Sequence, residues 1–143
     1  MTIDVDGALP PTFLRRFMLA VTALTGLVGG VALAAIVLTA LFGGEGESPV
    51  GLAPIGVAVT AIILHAAGLG RLLLRPRQHW LLRHGVFLGG IGLLAVSGAA
   101  IVGAELDDAP GGVLAGLLLA TQGGVAVLSV AFPQLVPPRS SRA

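Results

Sequence analysis

The chain has 143 residues, of which 55% are hydrophobic and 10% are charged, and its mean hydropathy is +0.99. A soluble domain carries roughly 25% charged residues and buries only about two-thirds of its chain surface, so this composition excludes one. All 8 basic residues are arginines in short separate segments. They form no continuous basic face, which argues against a nucleic-acid partner. The sequence therefore predicts an integral membrane protein.

Four uncharged stretches predict four membrane-spanning helices. Each supplies the roughly 20 apolar residues that cross about 30 Å of hydrocarbon. None shows the alternating polarity of a transmembrane barrel strand. The predicted spans are Phe17–Phe42, Val50–Leu74, Leu81–Val102 and Gly112–Phe132. We expect residues 1–143 to form a single transmembrane domain, with short cytoplasmic tails at 1–13 and 134–143.

The loops between the spans predict the topology. They are short, so consecutive helices pack antiparallel in an up-down-up-down bundle. In the last loop, Asp108 is the predicted N-cap of the fourth helix, with Pro110 in its first turn. The arginines lie in the N-terminal arm, the central loop region and the tail, whereas the two other loops carry only acidic charges. Under the positive-inside rule, both termini face the cytoplasm.

The two predicted hairpins resemble each other weakly. The first begins with Leu14-Arg15-Arg16 and the second with Leu82-Arg83-His84. A parallel repeat would relate them by an axis along the membrane normal. Any two apolar hairpins with arginines on the inner side would look equally alike, so both interpretations stay open.

Small residues recur at four-residue spacing inside the spans, and this spacing places each pair on one helix face. The pairs are Gly26 and Gly30, Ala66 and Gly70, Gly85 and Gly89, and Gly112 and Gly116. Small side chains let helix backbones approach closely in lipid. These faces either hold the four helices of one chain together, or leave one face for another protein or a second copy.

Intramembrane polar groups are few, and the candidates are Thr60, His65 and Gln122. We expect His65 either to bond a neighbouring helix, for example at Gln122, or to serve in quinone contact, pH sensing or partner contact. Ligation of haem by two histidines of one chain is disfavoured, because His65 and His84 differ in depth. The uncharged span cores also disfavour a cation-coupled exporter, which needs an embedded carboxylate.

An arginine-rich segment follows the second span. Its candidate binding residues are Arg71, Arg75, Arg77, Trp80 and Arg83. Clustered guanidinium groups beside an aromatic interface anchor suit an anionic phospholipid or an acidic partner segment. The alternative is a loop that only sets the topology.

Catalytic chemistry has no sequence support. The chain contains no cysteine, and we find no Ser-His-Asp set, HExxH motif or phosphate-binding loop. We predict no catalytic residues, no metal and no cofactor. Abundant Ala, Gly, Arg and Pro, with Lys, Cys, Tyr and Asn absent, is typical of a GC-rich prokaryotic genome.

The sequence favours a small non-enzymatic accessory or structural subunit of a prokaryotic cytoplasmic membrane. It would pack against partner membrane proteins and anionic lipid. One alternative is a self-associating transporter or channel lined by Thr60, His65 and Gln122. A second alternative is a quinone- or haem-linked redox subunit that uses His65.

Overall fold

The structure is a computed structural model that describes residues 11–43, 49–74, 80–106 and 109–132. These residues form four helices and no strand. The helices are α1 (Pro11–Phe42), α2 (Pro49–Leu74), α3 (Trp80–Leu106) and α4 (Pro110–Ala131). Each is long and apolar enough to cross a membrane, as judged by length and composition. The prediction of four long apolar helices is confirmed.

The helices do not end where the uncharged stretches end. α1 begins at Pro11 rather than at Phe17, and α3 continues to Leu106 rather than ending at Val102. Arginine and glutamate are good helix formers, so charge limits the apolar span without ending the helix. At about 1.5 Å per residue, α1 is about 48 Å long and extends beyond the hydrocarbon.

The start of α4 also differs from the prediction. Its N-cap is Ala109, which makes no side-chain capping bond, and Pro110 follows in the first turn. Proline suits this position because its missing N–H needs no partner there. The Ala109 N–H donates instead to the Ala104 carbonyl at 2.8 Å, and the Gly112 N–H donates to the Ala109 carbonyl at 2.9 Å. The prediction of Asp108 as N-cap was therefore wrong.

The helices form two closely packed pairs with few contacts between them: α1 with α2, called here the first hairpin, and α3 with α4, called the second hairpin. In the first hairpin, Arg15 near the start of α1 bonds Leu73 near the end of α2. Further along, Gly56 of α2 lies against Ile36 of α1. Early residues of one helix thus meet late residues of the other.

The second hairpin is held by small residues whose backbones come close together. The residues in contact are Gly90, Ser97 and Ala104 of α3, and Gly112, Gly116 and Gly123 of α4. A Cβ atom added to Gly123 would lie 2.7 Å from the Gly90 carbonyl oxygen, and one added to Gly116 would lie 3.2 Å from that of Ser97. On α3 these residues recur every seven positions, the repeat that keeps one helix face against an antiparallel neighbour.

The two hairpins are joined near their arginine-bearing ends. A buried cluster there draws residues from all four helices, namely Met18, Val21, Leu69, Leu72, Leu73, Val86, Val125 and Ala126. Farther along, Gly29 is the only buried residue of positions 26–42, and none is buried in positions 51–65. Gly29 itself faces Ile63 of its own hairpin. Residues 26–42 of α1 and 51–64 of α2 therefore bury little surface against the second hairpin.

Candidate functional site

His65 connects the two hairpins. Its Nε2 atom lies 3.0 Å from the Val86 carbonyl oxygen of α3. Because a carbonyl oxygen only accepts, Nε2 carries the hydrogen and donates. Gly89 makes room for the ring, since a Cβ atom there would lie 2.5 Å from the His65 Cδ2 atom. The expected bond from His65 to Gln122 is not formed: the imidazole instead reaches the backbone of the nearer helix.

Among the described residues, Gln122 is the buried side chain with the most unpaired polar atoms. It is 0% exposed, and neither its Nε2 nor its Oε1 has a hydrogen-bond partner there. It lies one turn before Val125 and Ala126, which belong to the cluster that joins the hairpins. An unpaired buried polar group costs about 1–3 kcal/mol of stability. The His65 Nδ1 atom is likewise buried and unpaired within the described part of the chain.

Thr60 lies in a different environment. It is exposed, and its hydroxyl donates to the Gly56 carbonyl of its own helix at 2.8 Å. The buried hydroxyls of Thr22 and Thr25 also donate within their helix, to Met18 and Val21. Of the three side chains expected to line a transport path, Thr60 is thus exposed, His65 is half-buried and Gln122 is fully buried.

The glycine pairs separate into used and open faces. Gly112 and Gly116 pack on α3, and Gly89 lies under His65, whereas a Cβ atom on Gly85 would have no neighbour within 4 Å in the described part of the chain. Gly26 and Gly30 are also open by this measure. We call these two the Gly26–Gly30 face. Sequence reasoning missed Gly90 and Gly123 as packing residues. They belong to small residues spaced seven apart, Gly90 with Ser97 and Gly123 with Gly116, and not to the pairs spaced four apart.

A groove runs between α1 and α2 beside the Gly26–Gly30 face. It has a volume of about 330 Å³. Small residues form much of its lining, including Ala23, Gly26, Ala66, Ala67 and Gly70. Such a lining lets another helix approach closely.

The arginines near the helix ends differ in exposure and in hydrogen bonding. Arg71 is exposed in the last turn of α2, whereas Arg75 and Arg77 lie outside the described residues. Arg15 was expected only to set topology, but its Nη2 atom donates to the Leu73 carbonyl at 3.1 Å. This bond satisfies one of the carbonyls left free at the end of a helix.

Arg83 lines a small pocket at the start of α3. The pocket has a volume of about 180 Å³, and its other lining residues are Trp80, His84, Phe87 and Val130. The Trp80 and His84 rings meet edge to face, with centroids 5.3 Å apart. The His84 Nδ1 atom donates to the Trp80 carbonyl at 2.9 Å, which fixes the orientation of the imidazole.

Within the described ranges, no three His, Asp or Glu side chains cluster as metal ligands would. No protein-family model, curated protein or solved structure matches this chain.

Proposed function

We propose that this chain is a non-enzymatic accessory subunit in a prokaryotic cytoplasmic membrane, and that it binds a transmembrane helix of another membrane protein. The observation that carries this proposal is the open Gly26–Gly30 face with its adjoining groove. Lipid gives helices no hydrophobic drive to associate, so close backbone contact through small residues takes its place. The second hairpin uses this chemistry within the chain, and the Gly26–Gly30 face offers it to a partner.

The proposed topology is an up-down-up-down bundle with both termini in the cytoplasm. Arg15, Arg71 and Arg83 support this arrangement, because they lie at helix ends near the joined end of the hairpins. Glu105 lies at the opposite end of α3. Positively charged residues are retained on the cytoplasmic side during insertion.

The test is the composition of the particle extracted from native membranes in mild detergent at native expression. We expect a second membrane protein in fixed stoichiometry by mass spectrometry. The double variant Gly26→Leu and Gly30→Leu should lose it, because the side chains would fill the face. A pure homo-oligomer would overturn the proposal.

The matched control is the double variant Gly92→Leu and Gly98→Leu. These α3 glycines are equally open, since no described residue lies within 4 Å of an added Cβ atom, and they do not line the groove. We expect this variant to keep the partner. Equal loss in both double variants would show that any added bulk breaks the complex and would reject the Gly26–Gly30 face.

A second candidate function is a self-associating transporter or channel. The unpaired polar atoms of Gln122 and His65 favour it, because polar groups at membrane depth often mark a substrate path. Under this candidate, Gln122→Leu abolishes flux in reconstituted vesicles. If the chain is an accessory subunit, we expect no flux from the unaltered protein or from the Gln122→Leu variant.

A redox subunit would use His65 as a contact or ligand. Its Nε2 atom already donates to Val86, so a ligand would have to displace that bond or use Nδ1. The visible absorption spectrum of the purified native particle tests for haem directly.

A further inference from the structure

The pocket at the start of α3 combines one charge with apolar walls. Arg83 is half-buried in it, and Phe87 and Val130 supply apolar lining from α3 and α4. No hydrogen bond or ion pair to the Arg83 guanidinium is found among the described residues. The Arg83 nitrogens are not among the buried atoms that lack a partner, so the guanidinium is accessible and offers five N–H donors to a ligand.

Charge selects an anion for this pocket. Arg15, Arg16 and Arg71 lie at the same end of the hairpins, while Glu105, the acidic residue within the described ranges, lies at the far end of α3. A guanidinium group matches the geometry of a phosphate and binds it through two parallel hydrogen bonds. The ligand chemistry is therefore a phosphate group.

The depth of the pocket selects a lipid as the source of that phosphate. Trp80 begins α3, and an aromatic side chain at a span end suits the headgroup region. Phe87 follows two turns later, about 10 Å deeper along the helix axis. Free phosphate would satisfy Arg83 but would leave the walls formed by Phe87 and Val130 without an apolar partner.

We infer that this pocket binds one anionic phospholipid, with its phosphate on Arg83 and an acyl chain along Phe87 and Val130. The inference rests on the proposed position of the arginine-bearing ends at the membrane surface. Of the two arginines of the arginine-rich segment that the structure describes, the inference selects Arg83, because the pocket lining includes Arg83 and does not include Arg71.

Trp80 provides the readout, because it is the only tryptophan in the chain and it lines the pocket. The full chain is placed in phosphatidylcholine vesicles with a small fraction of bromine-labelled phosphatidylglycerol or bromine-labelled phosphatidylcholine. Bromine quenches tryptophan fluorescence on contact. We expect the anionic lipid to associate with Trp80 about fivefold more strongly, as for one arginine near an anionic surface.

The decisive variant is Arg83→Gln, and its matched control is Arg16→Gln. Both remove one positive charge at the same end, but Arg16 is exposed on α1 and does not line the pocket. We expect Arg83→Gln to abolish the preference for anionic lipid and Arg16→Gln to retain it. Equal preference in both variants, or no preference in the unaltered protein, would overturn the inference. Gel filtration and circular dichroism verify that each variant is folded.

Two further measurements distinguish a wrong ligand from a wrong membrane position. Millimolar inorganic phosphate should not relieve the quenching; relief would identify free phosphate as the ligand and overturn the lipid assignment. Bromines near the headgroup should quench Trp80 more than bromines near the chain end. The opposite depth profile would reject the membrane position of the arginine-bearing ends. The partner experiment with Gly26 and Gly30 is independent of either result.

Discussion

The two hairpins are built from similar residues but pack by different means. In the second hairpin, glycines meet the facing backbone directly, as Gly123 does at the Gly90 carbonyl. In the first hairpin, the buried positions include larger side chains such as Met18 and Leu69. At the Gly26–Gly30 face of α1, no described residue lies within 4 Å of an added Cβ atom. The content of glycine thus does not predict which helices approach closely.

The cause of the difference is the position of the small residues around each helix. On α3, Gly90, Ser97 and Ala104 share the face that meets α4. On α1, an added Cβ atom would contact α2 at Gly29, where Ile63 lies 2.9 Å away, but would find no described neighbour within 4 Å at Gly26 or Gly30. A single glycine at the helix contact contributes more to packing than two glycines beside it.

The largest expected effect comes from adding a side chain inside the second hairpin. Gly123→Leu would drive atoms into the Gly90 carbonyl and the Leu94 backbone, which are 2.7 and 3.2 Å from an added Cβ atom. Overpacking costs about 1–3 kcal/mol and sometimes more, and backbone atoms have little freedom to yield. We expect the variant to lose its monodisperse peak on gel filtration in mild detergent.

The adjacent glycine is the control for that variant. An added Cβ atom on Gly124 would have no described residue within 4 Å, so Gly124→Leu should keep the gel-filtration peak and the melting temperature. Similar losses at Gly123 and Gly124 would refute the assigned contact face of α4.

The next effect has the opposite sign and concerns the region where the hairpins join. Gln122→Leu replaces a fully buried, unpaired amide with an apolar side chain of similar size. Removing an unpaired polar group should stabilise the fold by about 1–3 kcal/mol, measured as a higher melting temperature in detergent. Thr121→Val is the control, because the exposed Thr121 hydroxyl bonds its own helix at Leu117. A lower melting temperature for Gln122→Leu would reveal a partner for the amide.

A smaller effect is expected at the bond between the hairpins. His65→Leu removes the donor to Val86, and such bonds contribute about 0.6 kcal/mol on average in membrane proteins. The melting temperature should fall slightly, whereas Thr60→Val should leave it unchanged. Gly89→Ala should also destabilise the protein, because the new methyl group displaces the imidazole. In a His65→Ala background, Gly89→Ala should no longer lower the melting temperature. An equal loss in that background would contradict the contact between Gly89 and the His65 ring.

The smallest effect tests the open face of the first hairpin. Gly30→Ala adds a methyl group at a position where no atom of the described helices lies within 4 Å. Alanine has the higher helix propensity, so we expect a gain of less than about 1 kcal/mol in the isolated chain. Gly123→Ala should show a clear loss in the same melting assay. If Gly30→Ala destabilised the isolated chain as much, the contrast between the two hairpins would fail.

The weak repeat in the sequence illustrates the limits of local patterns. Arg15 and Arg83 occupy corresponding positions at the starts of the two hairpins. Arg15 donates to the Leu73 carbonyl of its own hairpin, whereas Arg83 lines a pocket with Trp80 and Val130. Similar sequence at the two places leads to different environments, because the neighbouring helix differs.

The sequence by itself determined the four apolar helices and the depth of the polar side chains along them. These features follow from the cost of placing charge in hydrocarbon, which acts on each residue separately and is large. Tertiary structure alone decided which glycines meet a neighbour, that His65 bonds Val86 and not Gln122, and that Val130 lines the same pocket as Arg83. Those outcomes depend on how each helix is rotated about its axis. Rotation is set by many small packing contacts, which a continuous apolar sequence with little polar contrast does not specify.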